Sequence, residues 1–155
     1  MSIRVALGDD DAEFRTAAVG LLEADPRIVV VGTAANGNEL VELASATEPD
    51  VVLLDVLMPA GGVTGARALA DLAESPGRRT QTLVVALTAE TSPDVIEAML
   101  RAGAVGYFAK GRIGSALGDL VSRVYDGEVV LAAPTAGLAL RRILRENPSR
   151  AVSTS

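Results

Sequence analysis

The chain contains no cysteine and no histidine. Without thiolate or imidazole it cannot build a zinc finger, an iron–sulfur cluster, thiol chemistry or a Ser-His-Asp nucleophile. Any metal must therefore be held by oxygen. No stretch approaches the roughly 18 consecutive apolar residues of a membrane span, and the opening "MSIRVALGDDD" lacks the apolar core and cleavage site of an export leader. The reading is a cytoplasmic chain with no membrane contact. Lysine is scarce too: Lys110 is the only one, against thirteen arginines. Arginine is a flat fork, whereas the lysine ammonium is a compact charge on a flexible stem, so a site bringing one movable cation to a small anion favours lysine. A surface lysine retained by chance is the bland alternative.

At 155 residues the length is that of one domain, large enough for a core without disulfides or structural metal. The net charge of −6 is unevenly spread: residues 1–133 carry 19 acidic and 10 basic groups, residues 134–155 one acidic and four basic. An acidic body repels a polyanion, so no direct DNA binding by this chain is expected.

Short apolar runs at 3–7, 28–31, 51–54, 83–87 and 105–109 alternate with helical patterns. The runs are Val- and Leu-rich and mostly unbroken, as in parallel strands covered on both faces. Phe14, Ala17, Ala18, Leu21 and Leu22 mark one amphipathic helix. Residues 40–44, capped by Asn36 or Asn38, suggest a second, and 66–73 a third. A fourth carries Ser92 as N-cap, Pro93 at its first position, Arg101 in its last turn and Gly103 as its stop. Leu117, Leu120, Val121 and Val124 make a fifth, halted at Asp126-Gly127. Five βα units predict an α/β, doubly wound, five-stranded parallel sheet. Residues 1–127 form this domain, 128–146 a linker strand and helix, and 147–155 a disordered polar tail.

In such sheets the ligand sits beyond the carboxyl ends of the strands. Those positions hold Asp9 and Asp10, Asp55, Thr88 and Lys110. Taken singly, each has an ordinary explanation: a helix cap for Asp9 or Asp10, a loop acid for Asp55, a strand end for Thr88. Together they form a chemical set. Three carboxylates in one pocket repel unless a cation joins them, and with oxygen ligands and partial hydration the natural ion is Mg²⁺. Asp55 is then placed to attack a phosphoryl group as a carboxylate nucleophile, while Lys110 and Thr88 supply a cation and a small donor to its oxygens.

"VALGDDDAEFR", "PDVVLLDVLMPAGG", "VVALTAE" and "AGAVGYFAKG" resemble, in order and distance, the motifs of response regulator receiver domains, over residues 3–126. The resemblance implies a flavodoxin-like sheet of order 2-1-3-4-5. It implies that Asp9, Asp10, Asp55 and the main-chain carbonyl of Leu57 bind Mg²⁺. It implies that Asp55 accepts phosphate from a histidine kinase, with Thr88 and Lys110 on that phosphate. Thr88 and Tyr107 take the switch positions, the ring turning inward from an outward resting setting. The output face is then the fourth helix, fifth strand and fifth helix, with Val95, Met99 and Leu100 near Tyr107. That face or the linker helix is the expected site of a homodimer.

"KGRIGSALGDLVSRVYDGEVVLAAPTAGLALRRILRE" is similar to the end of a NarL/FixJ-type (LuxR-type) receiver, where a helix-turn-helix domain would follow; here the polar "ENPSRAVSTS" follows. The implied role is transcriptional control through a DNA-binding domain absent from this chain, or a stand-alone interaction module. The loop after Pro59 lacks the acidic-glycine pair of many relatives. Leu57, near the path of attacking water, implies slow loss of the phosphate. It also argues against a haloacid-dehalogenase-like phosphohydrolase, which needs an acid two residues past its nucleophile. No glycine-rich nucleotide loop follows any strand.

Overall fold

The structure is a computed structural model that describes residues 2–78 and 81–146. The expected disordered tail, 147–155, lies outside the described residues. Six parallel strands, β1 (Ile3–Gly8), β2 (Ile28–Ala34), β3 (Val51–Leu54), β4 (Leu83–Thr88), β5 (Gly106–Ala109) and β6 (Val130–Ala132), form one sheet in the order β2-β1-β3-β4-β5-β6. The doubly wound order of the first five matches expectation. Among the described residues the count is six, not the five expected. Residues 130–132 reach the margin of the sheet and pair with β5, satisfying backbone groups that would otherwise be left on an open edge.

Unbroken apolar runs become strands buried on both sides because alternate residues feed two cores. Val5, Leu7, Leu53, Val85 and Phe108 meet α1 (Ala12–Glu23) and α6 (Leu117–Tyr125) on one face. Ala6, Val52, Leu54, Ala86 and Tyr107 meet α2 (Gly37–Thr47), α3 (Gly62–Ala73), α4 (Pro93–Arg101) and α7 (Ala136–Glu146) on the other. A short helix, α5 (Lys110–Ile113), and a 3₁₀ turn (Gly114–Ala116) lead from β5 into α6, which is the fifth helix of the sequence pattern. Asn36 is the cap of α2, accepting the Glu39 N–H at 2.9 Å. Pro93 opens α4, and Gly103 follows it with a φ of +113°.

The loops at the carboxyl edge brace one another through close backbone contact. The Gly37 N–H donates to the Pro59 carbonyl at 2.8 Å, and a Cβ at Gly37 would stand 1.6 Å from the Ala60 carbonyl oxygen. That oxygen is backbone and cannot swing aside, so Gly37→Ala is expected to lose about 2 kcal/mol by separating α2 from the β3–α3 loop. Chemical denaturation checks this, and an unchanged midpoint would show that the loop gives way freely.

Candidate functional site

The carboxyl ends of β1, β3, β4 and β5 deliver Asp9 and Asp10, Asp55, Thr88 and Lys110 to one place. Asp9 is fully buried, and its Oδ1 accepts the Asp11 N–H at 2.9 Å. Capping of α1 falls to neither Asp9 nor Asp10. Asp11 does it, accepting from the N–H groups of Glu13 and Phe14 at 3.0 and 3.2 Å. Asp55, 3% exposed, follows β3, and its Oδ1 accepts the Leu57 N–H at 3.1 Å. Carboxylate oxygens of Asp9, Asp10 and Asp55 lie within 4.8 Å of one another.

Lys110 Nζ is 2.6 Å from Asp9 Oδ2 and 3.7 Å from Asp55 Oδ2. Its third neighbour is the face of Phe14, with the ring centroid 3.9 Å away, a cation–π contact. One compact ammonium thus sits between two carboxylates and a ring. Burial raises the Asp55 carboxyl above its ordinary value; the Leu57 N–H and the Thr88 hydroxyl lower it, the Asp9 charge raises it and Lys110 lowers it, with burial winning. Thr88 is fully buried, and its Oγ1 accepts the Glu90 N–H at 3.3 Å.

The pocket suits a hard dication. Asp9 Oδ2 is buried and attracted by the lysine charge, yet no donor is aligned on it. Three carboxylates face one ammonium, every side-chain ligand is oxygen, and Asp10 is exposed to water. Mg²⁺, which keeps several waters while binding carboxylates, fits that donor set.

Tyr107 departs from the outward setting expected of it. Its ring is fully buried and its hydroxyl donates to the Glu90 carbonyl at 2.6 Å. Burial, followed by the charges of Glu90 and Asp55, pushes the phenol well above its ordinary range, so the hydroxyl remains a donor. Met99 is buried in the same core, with Val95 and Leu100 packed against it. The Leu57 side chain points outward, 59% exposed. In the sequence Phe14 stands out only as one apolar position of a helix face. Its contact with a residue 96 positions away had no local signal beyond its place in the first turn after the acidic run.

The family model described as the response regulator receiver domain matches residues 5–122. Two transcriptional regulatory proteins of Bacillus subtilis (strain 168) are similar: YxjL, 33% identical over 92% of this chain, and LiaR, 32% identical over 91%. The chain spans 63% and 64% of their lengths. Among solved structures, the signal receiver domain of the response regulator NarL from Mycobacterium tuberculosis superposes with a TM-score of 0.74 at 30% identity, covering 82% of this chain and 98% of that one. Strand order, acid pocket and sequence likeness agree, and the chain belongs to the response regulator receiver domain family, with relatives of the NarL/LuxR type.

Proposed function

We propose that Asp55 is the phosphoacceptor of a two-component system, taking its phosphoryl group from a histidine kinase in the cytoplasm. The observation that supports this best is the convergence of a buried carboxylate, one lysine and one threonine at adjacent strand ends. An Asp55 oxygen attacks phosphorus while the bond to the donor's leaving nitrogen or oxygen breaks, its electron pair going with the leaving group. Asp9, Asp10, Asp55 and the main-chain carbonyl of Leu57 would hold Mg²⁺, which when bound supplies positive charge against the phosphoryl oxygens. Lys110 moves from Asp9 towards the new anion, and the Thr88 hydroxyl donates to it, so each contributes charge stabilisation where charge gathers.

The names of the relatives support an output to transcription, through a DNA-binding domain outside this chain. Among the described residues no helix is long and apolar enough to cross a membrane. The α4 side of the expected output face is covered by α7 of the same chain. Intact mass spectrometry after incubation with Mg²⁺ and a small acyl phosphate tests the proposal. The expected result is a gain of one phosphoryl group that excess EDTA prevents. No gain, or a gain unaffected by EDTA, would refute it.

A further inference from the structure

Residues 130–146 fold back on the domain. β6 lies beside β5, with Val130, Leu131 and Ala132 opposite Gly106, Tyr107 and Phe108. The chain turns at Pro134, and α7 runs over α4 on the face that holds Tyr107. Ala139 is fully buried in the same core as Tyr107, Ile96 and Met99, with Leu131 and Ala133 packed against it. Ion pairs fasten both ends of α4 to α7: Asp94 in its first turn to Arg142, and Arg101 in its last turn to Glu146.

The connection to the phosphoryl site is the loop of residues 89–92, between Thr88 at the end of β4 and the start of α4. Two successive carbonyls of that loop are held by different elements. Tyr107 on β5 donates its hydroxyl to Glu90, and Thr135 in the β6–α7 turn donates its hydroxyl to Thr91. A displacement of Thr88 reaches both contacts within three residues of backbone. For the Tyr107 ring to leave its buried position, β6 and α7 must give way.

We propose that residues 130–146 are a built-in latch on α4, fixing Tyr107 inward, such that phosphoryl capture at Asp55 and docking of α7 stabilise each other. The inference rests on Asp55 being the phosphoacceptor. Its direction comes from the docked arrangement, in which the buried Thr88 hydroxyl and the buried Asp55 carboxylate stand together at the carboxyl ends of the neighbouring strands β4 and β3. A phosphoryl group on Asp55 recruits that same hydroxyl, so it favours the docked state over one in which the 89–92 loop has drifted. Coupling of this kind is reciprocal: whatever loosens α7 weakens capture, and capture tightens α7. With the latch closed, the face of α4 is taken by the chain's own helix, and a dimer built on that face is excluded.

The test uses the whole chain with Mg²⁺ and beryllium fluoride as the phosphoryl mimic, and two variants. Ala139→Arg places a long cation in the α4–α7 contact. Thr135→Val keeps the shape of the side chain and removes only its hydroxyl. Ala139→Arg is expected to strip amide-exchange protection from α7, shift the Tyr107 ring resonances before any mimic is added, and weaken mimic affinity at least about fivefold, the lower end of ordinary allosteric coupling. Thr135→Val is expected to weaken it about two- to threefold, a part of the same coupling. In the wild type, the mimic should slow exchange in α7. Freed α7 amides with wild-type affinity and wild-type Tyr107 resonances would overturn the latch. Should Ala139→Arg unfold the chain or leave α7 docked, Thr135→Val decides by itself, and unchanged affinity there overturns the proposal. A wild type whose Leu57 and Thr88 amides ignore the mimic fails at Asp55 itself, a distinct result that removes the latch with it.

Discussion

Asp55→Asn takes up no phosphoryl group under conditions that label the wild type, and it melts at a higher temperature. The first effect follows from chemistry: an amide has no carboxylate oxygen to attack phosphorus. The second follows from burial. Asp55 is 3% exposed beside a second buried carboxylate, and its carboxyl lies above its ordinary value chiefly because of desolvation. Between the unfolded and folded values the native state binds more protons than the unfolded chain, so stability falls as pH rises through that window. Above it the penalty is fully present, and asparagine carries none. In EDTA the variant should therefore exceed the wild type by about 2–4 °C in Tm near neutral pH, the shift that about 1 kcal/mol gives in a domain of this size. The gap should close in acid, where Asp55 is protonated in both states. Mass spectrometry and a thermal melt across pH check both halves. Persistent labelling, or a lower Tm at neutral pH, would sink the assignment.

Lys110→Ala should move two measurements in opposite directions. The ammonium lies 2.6 Å from Asp9 and 3.7 Å from Asp55, so it competes with any dication for the same oxygens. Removing it leaves three carboxylates without a side-chain cation, and Mg²⁺ affinity should rise about tenfold, as expected when a nearby like charge is lost from a partly buried site. Capture of phosphate should fall about 100-fold, the usual consequence of losing one preorganised group at developing negative charge. Calorimetric Mg²⁺ titration and the rate of labelling by a small acyl phosphate separate the two. If Mg²⁺ affinity falls with the labelling rate, Lys110 supports the shape of the acid pocket and does not compete for it. Lys110→Arg is the stricter control, since it keeps the charge and replaces the compact ammonium with a planar fork.

The parts of this fold that could be read from sequence are those with a strong period or a strong contrast. Parallel strands covered on both faces are unbroken apolar runs, and the polar residue ending each run stands out, so Asp55, Thr88 and Lys110 were legible before any geometry. The acidic run 9–11 was less so. Three adjacent aspartates look alike in sequence, and only the backbone turn makes Asp11 the cap while Asp9 turns inward. Helix α3 begins at Gly62, four residues before the apolar pattern suggests, because its N-cap is Gly61 and carries no side-chain signal. Residues 110–113 carry no helical signal, because a single turn with Gly111 inside it and Gly114 just after it has no period to read. The setting of Tyr107 was illegible for another reason: its ring shares a core with Ala139, and its hydroxyl bonds a loop that Thr135 also holds, both residues lying beyond the motifs that define the site.

The sixth strand also changes how the molecule meets its own kind. β5 is four residues long and buried throughout, a short apolar ribbon whose outer backbone groups would template a foreign strand if nothing lay beside it. β6 takes that position and is itself only three residues long, flanked by Gly127 on one side and Pro134 on the other. A margin so short, with a proline close behind it, offers little for a stranger to zip onto. The opposite margin is the seven-residue β2, where Val29 stands 44% exposed. Aggregation by edge-to-edge pairing, under crowding or mild unfolding, is thus directed to the far side of the sheet from Lys110, and a single charged residue at Val29 is the substitution that would guard against it.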